Sequence, residues 1–120
     1  MTTALDAAEP PRMDDETVKF AVGLFGALAH PTRLRIVELL TERERTVNEV
    51  AEALSLLQPN ASQHLAILHR IGVVKVTREG AQRCYSLRGP RIPQILRLVN
   101  EFRSIHAHVL QVETNAPDLA

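Results

Sequence analysis

The sequence predicts one mainly α-helical domain carrying a single β-hairpin, in the element order ααααββα. Three observations lead there. The 120 residues are 45% hydrophobic but only 3% aromatic, so the core must come from Leu, Ile, Val and Ala, which at this density favours helices over an all-β sandwich. Helix start and stop signals recur along the first seventy residues. After Gly72 the apolar period changes from that of a helix to that of a strand.

Residues 1–13 contain Pro10, Pro11 and small or acidic residues with no apolar period, so they are expected to be a flexible arm. The folded domain is expected over 14–113, with a disordered tail over 114–120. Asp14 or Asp15 can cap a first helix that runs to about Ala29, in which Val18, Ala21, Val22, Phe25 and Leu28 recur at helical spacing. His30-Pro31 restarts the chain, and Pro31 suits a first helical position. Leu34, Ile36, Val37, Leu39 and Leu40 then give a second, largely buried helix.

Thr46-Val47-Asn48-Glu49 matches a capping box, in which hydroxyl and carboxylate each satisfy a free backbone N–H, so a short third helix starts at Val47. It yields to a turn over Ser55 to Gln58. Pro59 opens a fourth helix that closes at Gly72, where a left-handed C-cap costs glycine little. Two helices joined by a tight turn form a helix-turn-helix. Val73 to Arg78 and Gln82 to Leu87, joined by Glu79-Gly80-Ala81, read as a hairpin. From Pro90, the residues Ile92, Ile95, Leu96, Val99, Phe102, Ile105, Val109 and Leu110 return to a spacing of three and four, which gives a long last helix. A helix-turn-helix followed by a hairpin is a winged helix.

Charge narrows the function. The net charge is zero, yet residues 30–103 hold 12 Lys or Arg against 7 Asp or Glu, so a basic middle sits between acidic ends and suits phosphate contacts. Cys84 is the only cysteine, which rules out an intramolecular disulfide and fits a reducing compartment. No run of about 18 apolar residues exists and the start lacks signal-peptide character, so a cytoplasmic protein without membrane partners is expected. A phosphate-binding Gly-rich loop, a His-Glu-x-x-His motif and a nucleophile elbow are all missing, and Ser62 beside His64 has no pocket-forming context; no enzyme is expected.

On the fourth helix a wheel directs Ala61, Leu65, Leu68 and Gly72 at the core and Asn60, Gln63 and Arg70 away from it. Amides near the N-terminus of an exposed helix can pair with base edges. The same face could also be merely solvated. The hairpin carries Arg78, Gln82 and Arg83 around Gly80, where they can reach a neighbouring groove or backbone.

The stretch Leu24-Phe25-Gly26-Ala27-Leu28-Ala29-His30-Pro31-Thr32-Arg33-Leu34-Arg35-Ile36-Val37-Glu38-Leu39-Leu40 resembles the opening signature of the ArsR/SmtB family of bacterial winged-helix regulators. Asn60 to Leu68 with Ile71-Gly72-Val73-Val74 is similar to that family's recognition helix and its exit, and the wing from Arg78 to Leu87 also matches. The resemblance implies a transcriptional regulator that binds a near-palindromic promoter operator as a homodimer, with its recognition helix, about 59–71, in the major groove and its wing, 78–83, on flanking DNA. Carried over, the DNA contacts fall on Gln58, Asn60, Ser62, Gln63 and His64, with Arg78, Gln82 and Arg83 on the wing and Thr46 near phosphate; His64 lies about 60° from the core centre of the wheel, where a packed or phosphate-facing histidine is commoner than a base reader. Pro59 stands where relatives often have Ser or Thr. The resemblance places the dimer on the first and last helices, at Phe20, Leu24, Ile95, Leu96, Val99, Phe102, Ile105 and Val109; the apolar surplus of the last helix suits the same contact, with burial inside the monomer as the alternative.

Many members of that family sense metals or thiol oxidants. Here the third helix offers Val47, Asn48, Glu49 and Val50 in place of a cysteine pair, and the family's acid-and-histidine pair falls on Gly89 and Arg91. His106 and His108 are the remaining candidate ligands for nickel, zinc or cobalt, but they lie 200° apart on one helix, so a site there needs a second chain or the acidic arm. Two alternatives stay open: a metal-responsive regulator with a non-standard site, and a winged-helix module that binds protein, for instance a corepressor. Repression or activation, the operator sequence and the inducer are not written in the chain.

Overall fold

The computed structural model describes residues 12–115, with side chains to residue 111. The expected arm, apart from residues 12 and 13, and residues 116–120 of the expected tail lie outside the described residues. The order is α1 (Asp15–Leu28), α2 (Pro31–Glu42), β1 (Arg45–Thr46), α3 (Val47–Ala53), α4 (Gln58–Arg70), β2 (Val74–Glu79), β3 (Gln82–Leu87) and α5 (Arg91–Asn115). The expected order ααααββα therefore needs one correction, because a two-residue strand precedes α3. Arg45 and Thr46 pair antiparallel with Tyr85 and Cys84, so the hairpin becomes a three-stranded sheet of order β1-β3-β2.

Local chemistry accounts for the helix ends. The Asp14 carboxylate accepts from the Thr17 N–H at 2.8 Å and caps α1. His30 caps α2, its Nδ1 accepting from the Thr32 N–H, with Pro31 in the first turn. The Thr46 hydroxyl accepts from Glu49 N–H while the Glu49 carboxylate accepts from Thr46 N–H, completing the capping box of α3. α4 ends at Ile71, followed by Gly72 in the left-handed region at φ 89°; Gly72 N–H donates to His69 C=O and Val73 N–H to Leu68 C=O, a Schellman closure. α3 ends the same way without a glycine: Ser55 sits at φ 55°, and Leu56 N–H donates to Ala51 C=O at 2.8 Å.

Ile36, Val37 and Leu40 of α2, Val50 of α3, Ala61, Leu65 and Leu68 of α4, Val73 just before the sheet, and Val74 and Tyr85 within it form one buried cluster. Of the core-facing side expected for α4, Ala61, Leu65 and Leu68 are enclosed, whereas Gly72 lies beyond the helix end and is exposed, its role being the left-handed closure. Arg33 donates from Nε to the Ala27 carbonyl and so locks the α1–α2 junction. This core fixes α3, α4 and the hairpin relative to one another. α1 and α5 pack against it along one side only. Val18, Val22 and Phe25, which share the helical period of α1 with Ala21 and Leu28, are exposed, and so are Phe20 and, on α5, Leu98, Val99, Phe102, Ile105, Val109 and Leu110. α5 also continues two residues beyond the expected boundary at residue 113.

Candidate nucleic-acid interface

The N-terminal ends of α3 and α4 open toward the hairpin. Between them lies a cleft of about 270 Å³ lined by Thr46, Val47, Asn48, Gln58, Ser62, Ala81, Gln82, Arg83 and Tyr85. Five residues singled out from the sequence, Thr46, Gln58, Ser62, Gln82 and Arg83, therefore share one concavity although up to 37 positions separate them along the chain. The capping box places Thr46 at the α3 end, and the Schellman turn at Ser55 brings Gln58 alongside it. The β3 register carries Gln82 and Arg83 to the opposite wall.

Asn60, Gln63 and Arg70 are exposed on the outer face of α4, as the wheel requires, while Ser62 is half-buried on the cleft side. Arg78 stands directly opposite Arg83 across the hairpin. Like charges in that position destabilise a strand pair, and among the described residues neither guanidinium has an ion-pair or hydrogen-bond partner. An anion beside the hairpin would remove that repulsion. The two-residue turn Gly80-Ala81 has Gly80 at φ 65°, the positive angle that a tight hairpin of this kind demands at its first turn position.

His64 lies on the α2 side of α4. It is half-buried and turned toward α2, with Nδ1 3.4 Å from Arg33 Nη1 and its ring 4.6 Å from that of His30. Burial, with the adjacent His30 and Arg33 charges, holds its pKa below the ordinary value of 6.5. Neutral His64 ties α4 to the start of α2. Its surroundings are those of a packed histidine rather than a base reader.

Asn48 and Tyr85 join the cleft without having been singled out. Asn48 follows the cap residue by two positions and so shares the exposed end of α3, a signal the capping box itself carried. Tyr85 gave no such signal, because its ring belongs to the core and only the β1–β3 pairing brings it to the wall.

Of the expected dimer residues, Phe20, Val99, Phe102, Ile105 and Val109 are exposed. Leu24 and Leu96 instead pack partly against the protomer's own core, and Ile95 is half-buried. His106 and His108 are exposed, and His106 stacks on Phe102 at 5.5 Å. Among the described residues no group of three His, Cys, Asp or Glu side chains is placed to hold a metal ion, and no helix is long and apolar enough to cross a membrane. Cys84 is buried between the strands, and that burial raises its thiol pKa, the opposite of an activated thiolate.

Residues 30–76 match the family model for bacterial regulatory proteins of the arsR family. The uncharacterized HTH-type transcriptional regulator Rv0081 of Mycobacterium tuberculosis is 41% identical over 93 residues, 77% of this chain and 79% of the relative. Its crystal structure matches with a TM-score of 0.68 over 84% of this chain and 99% of that one, at 37% identity. A probable mercury resistance operon repressor of Streptomyces lividans is 34% identical over 115 residues, covering 95% of this chain and 89% of the repressor. The homodimeric winged helix-turn-helix DNA-binding domain Mb0332 of Mycobacterium bovis, solved by NMR, matches with a TM-score of 0.70 at 28% identity, over 82% of this chain and 93% of that one. These relatives are transcriptional regulators, not enzymes. With its winged helix-turn-helix and its open cleft, the chain belongs to the arsR family of bacterial DNA-binding transcriptional regulators.

Proposed function

We propose that the chain is a sequence-specific regulator that binds a near-palindromic promoter operator as a homodimer in the cytoplasm. α4 enters the major groove, and the 78–83 wing lies on flanking DNA. Asn60, Gln63 and Arg70 face the bases and the adjoining backbone. Thr46, Gln58, Ser62 and Gln82 surround a backbone phosphate in the cleft, and Arg78 and Arg83 hold phosphates beside the hairpin. The observation that carries this reading is the cleft, where polar ends of two helices and an unpaired arginine converge on one concavity. His64 serves by fixing α4 from behind.

The dimer reading rests on α1 and α5. Phe102 is 67% exposed and Ile105 69%, with Val22 equally bare on α1. The α5 helix, about 37 Å long at 1.5 Å per residue, stretches the protomer to a radius of gyration of 18.0 Å, where a rounded domain of this length has about 13 Å. An apolar ridge that projects so far is suited to a second copy.

Fluorescence anisotropy tests the proposal on a fragment of the protein's own upstream region and on a scrambled duplex, at two salt concentrations, with and without nickel, zinc or cobalt. Preferential, salt-sensitive binding to the native fragment is expected. Equal, salt-insensitive behaviour on both duplexes would refute it and leave a protein-binding module. The mercury resistance relative makes metal response worth the added arm; a metal-dependent change of affinity would assign the signal, with donors drawn from a second chain or from outside the described residues.

A further inference from the structure

Among the described residues, nearly every exposed large apolar side chain lies on or just before α1, on α2 or on α5, the side that a second copy would cover. Leu57 alone does not. At 73% exposure it is the barest of them all, and it stands at the N-cap of α4, one residue before Gln58 of the cleft. No dimer through α1 and α5 accounts for it.

Leu57 is also a poor residue for its backbone role. Asp14, His30 and Thr46 each accept a backbone N–H at the start of their helices, whereas Leu57 makes no side-chain cap bond. Serine, threonine, asparagine or aspartate would be preferred there. The free protein thus carries two disadvantages at one position, an uncapped helix and an aliphatic side chain in water. Immediately beyond it come Gln58 and Asn60, on the end of α4 that faces the groove in the proposed complex.

We infer that Leu57 is a specificity-determining residue, packing its side chain against the 5-methyl group of a thymine in the operator's major groove. Base edges in that groove present hydrogen-bond donors and acceptors, with the thymine methyl as the apolar exception. An aliphatic group at the leading end of the recognition helix finds a dry partner only there. This rests on the DNA-binding reading above and adds a base preference to it.

The test removes the methyl and nothing else. The upstream fragment is amplified with deoxyuridine in place of thymidine, and anisotropy is measured for the wild type and for Leu57→Ser on both duplexes. The wild type is expected to lose about fivefold or more on the uridine fragment. Leu57→Ser, which restores a capping hydroxyl and so keeps or raises the melting temperature, is expected to bind the thymidine fragment more weakly than the wild type and to distinguish the two fragments less than about twofold. An equal loss for both proteins would overturn the inference, since another group or the duplex shape would then sense the methyl. No loss for either would overturn it as well. Failure of both proteins to prefer either fragment over a scrambled duplex would instead remove the DNA-binding reading itself, an outcome distinct from the other two.

Discussion

Gln63→Ala and Arg83→Ala, compared side by side, separate base reading from phosphate holding. Gln63 is exposed on α4 and makes no side-chain hydrogen bond among the described residues, so its truncation leaves a surface alanine in a helix and alters folding stability by about 0.5 kcal/mol or less. A lost bidentate amide–adenine pair costs about 1–3 kcal/mol, and a dimer loses it twice. The specific complex should therefore weaken by at least about 2 kcal/mol, roughly 30-fold, with affinity for a scrambled duplex unchanged. Arg83 lies opposite Arg78 in the hairpin register, so its removal relieves a like-charge pair and does not loosen the wing. Its loss should weaken both duplexes alike and lower the slope of log K against log salt by about two per dimer. Anisotropy titrations at four salt concentrations measure all of these quantities. Undiminished specific binding by Gln63→Ala, or an unchanged salt slope for Arg83→Ala, would refute the assignment of bases to α4 and phosphates to the wing.

The remaining predictions concern stability and assembly. Ser55→Gly relieves a left-handed non-glycine residue and should stabilise the domain by about 1 kcal/mol, seen as a rise in melting temperature of about 4 °C. Thr46→Ala removes half of the capping box and should cost about 1 kcal/mol in urea unfolding. Because the folded pKa of His64 lies below 6.5, the unfolded chain binds the extra proton as pH falls; the stability that neutral His64 contributes is complete above 6.5 and is lost below it toward the folded value. Melting temperatures across that window should fall more steeply for the wild type than for His64→Gln, and parallel curves would count against the packed role of the imidazole. Phe102→Glu, at a site 67% exposed in the protomer, should leave the circular dichroism helical but shift sedimentation to the monomer.

The parts of the fold that were legible in the sequence are those set by neighbours along the chain. Asp14, Pro31, the Thr46–Glu49 box and Gly72 each act within four residues, and each marks an element boundary to within a residue or two. β1 escaped because two residues carry no period and their partners, Cys84 and Tyr85, lie some forty positions away. The left-handed turn at Ser55 escaped because serine does not advertise it; only the Leu56-to-Ala51 hydrogen bond reveals it. A helical wheel identifies an apolar stripe but not what covers it, so Val18, Val22 and Phe25 could not be told from core residues. For the same reason the wheel does not show that Leu24 and Leu96, expected at a dimer contact, pack partly against the protomer's own core. His64 shows the limit for the site: its wheel position near the core face leaves packing and phosphate contact equally open, and only Arg33 and His30, some thirty positions earlier, show which neighbours it has.

This division of labour bears on regulation. The buried cluster ties α2, α3, α4 and the sheet into one body, so a signal is poorly placed to move α4 against the wing without breaking core packing. α1 and α5 are different, since each packs on one side and, in the proposed dimer, gives the other to a second copy. A dimer reads an operator only if its two recognition helices match successive major grooves, a spacing of about 34 Å that small changes at the α1–α5 contact alter while every DNA-facing side chain stays intact. Dimer stability, operator affinity and protein concentration are then one linked equilibrium. In such a design the effector has no need to approach the DNA site, and the natural place to search for it is along the two helices that the core leaves half uncovered.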